Sequence, residues 1–158
     1  PTALILSRQG VPDLPAKPGS DRYSDALQAQ KGAYVARDCE GTPHVVLVAS
    51  GSEVATLLAG TPLLEERKEL KVRVVSVISE GVFRDLDSAY QEQVIPRGIP
   101  VFGLTAGLPV TLQGLVGEGG FVFGLESFGY SAPYKVLDEK LGFTGENVYQ
   151  QVCSMLGV

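Results

Sequence analysis

Histidine, cysteine and tryptophan are nearly missing from this chain: among its 158 residues one is His, two are Cys and none is Trp. His44, Cys39 and Cys153 lie far apart, and the scattered carboxylates supply no metal-ligand spacing around them. The two cysteines also fit no disulfide framework, and they read as reduced thiols of a cytoplasmic protein. Positive charge is scarce as well. A net charge of −5 argues against a nucleic-acid partner, which selects for a basic surface. Long apolar runs are absent: stretches such as Val45 to Ala49 fall far short of the ~20 residues that cross a bilayer. A membrane partner is not expected.

What is present suits one compact domain with an extension. At 158 residues, 44% hydrophobic and 20% charged, a chain buries roughly 70% of the surface it would expose unfolded and needs no staple. Residues 2–7, with Ala3-Leu4-Ile5-Leu6 at their centre, read as a short buried strand whose sheet partners lie elsewhere. With Pro1 in place of an initiating methionine, that suggests a piece of a longer polypeptide. Residues 10–30 carry Gly10, Pro12, Pro15, Pro18 and Gly19, the punctuation of a linker. Residues 24–30 are compatible with one helical turn. A connection of this length suits two domains better than one, so residues 1–9 read as the end of a preceding domain and residues 31–158 as the next.

From Ala33 onward strands alternate with helices. Strands are expected at Ala33-Tyr34-Val35-Ala36, at Val45-Val46-Leu47-Val48-Ala49, over residues 72–77, over 100–104 and over 121–125. Helices are expected after Ala49, over 81–94, over 107–117, over 131–141 and over 144–156. This order predicts a mostly parallel sheet covered on both faces, a three-layer α/β/α sandwich. Ser50-Gly51-Ser52-Glu53 has the form of a capping box, and Ser131-Ala132-Pro133 that of a helix start. Val148, Val152, Met155 and Leu156 make one apolar face. Pro62, with Thr61 before it, predicts a kink or split in the first long helix, Thr61 capping its second half.

Few residues offer chemistry. Ser127, in Leu125-Glu126-Ser127-Phe128-Gly129, approaches a nucleophile elbow, but its glycine is one position off. His44, its only histidine partner, precedes a strand, whereas ligands bind at the carboxyl ends of parallel strands. Glu65, Glu66 and Glu69 beside Arg67, Lys68 and Lys71 read as a solvated helix end with (i, i+4) pairs. The helix start at Ser50 could hold an anion, yet Glu53 places its own carboxylate there, and capping is the favoured reading. Arg8 is the better anion candidate. Its guanidinium presents a planar fork matched to phosphate oxygens, just beyond an apolar run that would hold it in place. Chemistry alone leaves open whether Arg8 grips phosphate or pairs with a carboxylate across a domain boundary.

Several strings, in order and in register, resemble the C-terminal part of transketolase. They are Leu6-Ser7-Arg8-Gln9, Lys31-Gly32-Ala33-Tyr34-Val35, Val48-Ala49-Ser50-Gly51-Ser52-Glu53-Val54, Phe128-Gly129-Tyr130-Ser131-Ala132-Pro133 and Leu141-Gly142-Phe143-Thr144-Gly145-Glu146-Asn147-Val148. The resemblance implies a five-stranded mixed sheet with its first strand antiparallel, in a domain that supports a homodimer and carries no core catalytic residue. Residues 1–9 would end the preceding pyrimidine-binding domain, and Arg8 would grip the sugar phosphate.

For the whole enzyme the resemblance implies thiamine diphosphate, a divalent metal (magnesium or calcium) and transfer of a two-carbon ketol unit from a ketose phosphate to an aldose phosphate. That chemistry belongs to the pentose phosphate pathway of the cytoplasm. Its partners would be the N-terminal and pyrimidine domains of the same enzyme and the sugar phosphates. No cofactor, metal or catalytic residue is expected within residues 1–158, because the family's Gly-Asp-Gly stretch has no counterpart here. The sequence departs from the family pattern at residues 78–83 and 105–115, where a related domain would contact its neighbours. Two other readings share the fold: another thiamine enzyme (deoxyxylulose-phosphate synthase or a 2-oxoacid dehydrogenase β subunit) and a standalone binding or regulatory module.

Overall fold

The computed structural model describes residues 3–7, 9–17 and 19–158. Five strands form one sheet in the order β1-β3-β2-β4-β5: β1 Ala33–Arg37, β2 Val45–Ala49, β3 Val72–Val77, β4 Val101–Leu104 and β5 Phe121–Phe123. All neighbours are parallel except β1, which runs antiparallel to β3. β2 is central and every one of its residues is buried, as a continuous apolar run flanked on both sides requires.

The two-residue period of the strands splits their side chains between two cores. On one face Val45, Leu47, Val74, Phe102 and Leu104 pack under α2 (Glu53–Lys68) and α7 (Gly145–Leu156), with Phe143 beside them. On the other, Val46, Val48, Val75 and Val101 pack under α3 (Glu80–Arg84), α4 (Ser88–Val94) and α5 (Val110–Val116). The three-layer sandwich and the antiparallel first strand are as expected. So is the apolar face of α7, with Val148 and Val152 buried and Met155 and Leu156 packed against the same core. The described part of the connection carries α1 (Arg22–Ala26) and a 3₁₀ turn (Leu27–Lys31), while α6 (Tyr134–Leu141) follows β5.

Three local expectations fail. α2 runs unbroken through Pro62. Thr61 does not recap it; its buried hydroxyl donates to the Leu57 carbonyl one turn back, 2.9 Å away. Gly60 and Gly145 let α2 and α7 cross backbone to backbone. A Cβ on Gly145 would stand 2.8 Å from the Ala59 carbonyl, and one on Gly60 would stand 2.9 Å from the Gly145 oxygen.

Residues 81–94 form two short helices instead of one. Asp87 interrupts them, its carboxylate accepting from the Tyr90 amide at 2.9 Å as a new N-cap. The α6 helix begins at Tyr134 after Pro133, with no side-chain cap from Ser131. Residues 3–7 form no ladder with the described residues, and Leu4, Ile5 and Leu6 are more than four-fifths exposed. The sheet partners expected for this run lie outside this chain, and an apolar run supplies one side of a β-ladder only.

The connections place the functional end of the sheet. From β2 the chain goes by α2 to β3 on one side, and from β3 by α3 and α4 to β4 on the other. The strand order therefore reverses beside β2, and the crevice outside the carboxyl ends of β2 and β4 is where such a sheet takes ligands.

Candidate functional site

Three segments meet at that carboxyl edge: residues 50–53 after β2, residues 105–109 after β4, and residues 124–133 after β5. Here the sheet extends past its ladders. The Thr105 amide donates to the Phe123 carbonyl at 3.0 Å, and the Leu125 amide to the Gly107 carbonyl at 2.9 Å. The Thr105 hydroxyl accepts from the Gly107 amide at 3.0 Å and closes the turn.

The start of α2 is built differently from a capping box. Ser52, not Ser50, occupies the cap position, and it makes no side-chain bond to a helix amide. Its hydroxyl donates instead to Glu53 Oε1 at 2.9 Å. The Glu53 carboxylate sits in the first turn, where a negative charge complements the helix dipole. Burial raises its pKa above the ordinary carboxylate value, the Ser52 hydroxyl opposes that rise, and the nearby Asp138 adds to it. Burial raises Asp138 likewise. Ser52 and Asp138 line a cleft of about 250 Å³ whose other wall includes residues 9–12. The helix start thus carries its own anion, and an acidic neighbour faces it.

The remaining candidates are kept apart. Ser127 is exposed beyond β5. His44 lies at the opposite end of the sheet, its Nδ1 accepting from the Lys71 amide at 3.1 Å. A five-residue strand between the two ends spans about 16 Å, so no hydrolase pair forms. Both cysteines are free thiols, Cys153 buried and Cys39 half-buried. Among the described residues no group of three or more His, Cys, Asp or Glu side chains is placed to hold a metal.

The charged helix end is not the solvated (i, i+4) face expected of it. Glu65 takes a bidentate grip from Arg37 on β1 at 2.7 and 2.9 Å, and Arg67 reaches Glu146 on α7 at 3.2 Å while lying over the Tyr149 ring. These bonds pin α2 to both neighbours, and their partners are too distant in sequence for spacing to reveal them.

The pattern is general. Each of the six arginines from Arg22 to Arg97 has a carboxylate partner: Asp13, Glu65, Glu146, Asp38, Glu80 and Glu92 in turn. Arg73 is the most enclosed, its fork bidentate on Asp38 at 2.8 and 3.1 Å. A guanidinium neutralised in this way is poorly placed to take a phosphate. Arg8 lies outside the described residues.

Comparison with known proteins agrees with this geometry. Residues 32–144 match the family model described as the transketolase-like C-terminal domain. The transketolase of Aquifex aeolicus is 39% identical over 153 residues, covering 96% of this chain and 22% of that protein. Among solved structures, the transketolase of Leishmania mexicana superposes with a TM-score of 0.72 at 32% identity, covering 84% of this chain and 18% of its own. A transketolase of Pichia stipitis in complex with sedoheptulose 7-phosphate superposes with a TM-score of 0.73 at 25% identity, covering 88% and 19%. The chain thus spans about a fifth of the length of the relatives it matches.

Proposed function

The chain belongs to the transketolase family through its C-terminal domain, and on that premise we propose that it serves a ketol transferase as a supporting domain with no catalytic residue of its own. The observation that carries this reading is the carboxyl edge. The end of the sheet where such folds place their ligands holds a carboxylate at its helix start, and His44 lies at the other end of the sheet from Ser127. The relatives named above are transketolases, which favours this reading over the other thiamine enzymes and over a standalone module.

In the whole enzyme, thiamine diphosphate with a divalent metal supplies the carbanion chemistry that cuts and transfers the two-carbon unit. The family resemblance puts the site for both in the N-terminal domain, so both are assigned to the part of the enzyme outside this chain. What this chain contributes is binding and scaffolding. Residues 1–9 close the pyrimidine-binding domain, residues 10–30 link it onward, and residues 31–158 form the C-terminal domain of a cytoplasmic homodimer. Sugar phosphates are the substrate class, as the complex of the Pichia stipitis relative with sedoheptulose 7-phosphate suggests. Among the described residues no helix is long and apolar enough to cross a membrane.

Arg8 is the one substrate contact assigned to this chain. It would bind and orient the phosphate of the sugar and would take no part in proton transfer. In a transketolase-length polypeptide, Arg8→Ala should weaken kcat/KM for phosphorylated donors by about 1.5–3 kcal/mol, the value of one charge-assisted contact, and leave unphosphorylated donors nearly unchanged. Equal losses for both donor classes would remove the assignment.

A further inference from the structure

The linker and the outer strand of the sheet enclose a cleft that ketol transfer leaves unused. β1 is the outermost strand, next to β3. Ala36 packs against the core under α2 and α7, while Val35 packs against the opposite core, the alternation that a strand imposes. Leu14 of the linker packs against the same core as Ala36, so the linker lies over this end of the sheet. Between the two is a cleft of about 350 Å³, lined by residues 13–15 and by α1 on one side and by Tyr34 and Ala36 of β1 on the other. That volume lies at the lower end of the range that takes small organic molecules. The linker wall is tied together. Arg22 pairs with Asp13, the Lys17 amide donates to Asp25 Oδ2 at 3.1 Å, and the Ser20 hydroxyl donates to Asp25 Oδ1 at 3.0 Å. A wall already fixed in this way lowers the ordering cost of binding.

The lining chemistry selects the ligand. Two carboxylates, Asp13 and Asp25, line the cleft with one guanidinium, Arg22, and no lysine among the described residues joins them. Arg22 is taken by Asp13, which leaves Asp25 as the charge without a cation. Each Asp25 oxygen accepts one bond and keeps a second lone pair. Tyr23 and Tyr34 bring two aromatic rings to the same cleft, and a ring face attracts a cation. Leu14, Pro15 and Ala36 complete an apolar wall. A protonated amine carried on a flat apolar body meets all three features. A phosphate or carboxylate would meet the charge of Asp25.

We infer that this cleft is a binding site for a small aromatic amine, with its ammonium group held by Asp25 and its ring against Tyr23 and Tyr34. The inference rests on the cleft itself and stands apart from the ketol-transfer reading.

The test is a ligand-observed NMR titration of a transketolase-length polypeptide carrying this sequence. The probe is tryptamine, with tryptophol and indole-3-acetate as its neutral and anionic analogues. Tryptamine should bind saturably with a dissociation constant of about 1 mM or tighter, a value within reach of a ligand of its size. It should bind at least about fivefold more tightly than tryptophol, as a charge-assisted bond and a cation–π contact require, and indole-3-acetate should be weaker still. Asp25→Asn should bring tryptamine close to the affinity of tryptophol. Tyr23 is three-quarters exposed, and Tyr23→Ala should weaken tryptamine at least about threefold. If either variant disturbs folding, Ala26→Phe blocks the cleft from exposed α1 and should weaken tryptamine as well. No saturation by tryptamine, equal affinity for the three indoles, or affinity unchanged in Tyr23→Ala and Ala26→Phe alike would each overturn the inference. A polypeptide that transfers ketol units yet binds no tryptamine defeats this inference and leaves the proposed function intact.

Discussion

The α2–α7 face and the carboxyl edge of this domain are finished to different degrees. On the face, two helices cross at Gly60 and Gly145 with no room for a Cβ, and ion pairs from Arg37 and Arg67 tie α2 to β1 and α7. On the edge, Phe128 is fully exposed, while Tyr130 is covered only by Lys140. A helix face closed to backbone contact works as internal structure, and the exposed edge contributes little to the stability of this domain.

The largest expected effect lies on the closed face. Gly145→Ala sets a methyl 2.8 Å from the Ala59 carbonyl, a backbone group that can move only by shifting the helix. It should cost about 2–3 kcal/mol of stability, at the upper range for overpacking, as a lower urea midpoint. No change in that midpoint would mean that the crossing is looser than described.

A smaller effect is expected at Glu53. Its pKa is raised in the fold, first by burial and then by Asp138, so the folded state holds that proton more tightly than the unfolded chain does. The contribution of the group is therefore full below its ordinary value of 4.5 and is lost as pH rises through the folded value. Glu53→Gln should melt higher than the parent near pH 7, with the gap closing toward pH 4. A gap that widens in acid would reverse the assignment of cause.

The smallest effect is expected on the open edge. Phe128→Ala should change the stability of residues 1–158 by less than about 0.5 kcal/mol, as for an exposed side chain with no partner. A loss comparable to that of Gly145→Ala would erase the contrast between the two regions.

The sequence made the sheet legible because β2 is a continuous apolar run, β3 is rich in valine and α7 carries a clean helical period. It misled where the deciding partner lies far along the chain. Glu65 reads as a surface charge until Arg37, 28 residues away, takes it. The split at Asp87 was within reach, because an aspartate placed three residues before Tyr90 is an ordinary cap. At the edge, the Phe128-Gly129-Tyr130 string was recognisable as a family motif, but only the folded edge shows that its rings face outward.

Calorimetric titration of residues 1–158 with thiamine diphosphate in the presence of magnesium tests most directly whether this domain supports catalysis without housing it. Titration heats indistinguishable from dilution are predicted, since no group of three or more His, Cys, Asp or Glu side chains among the described residues is placed to hold a metal and the α2 start is already occupied by Glu53. Saturable binding with a dissociation constant in the micromolar range would place the cofactor in this domain and contradict the assignment.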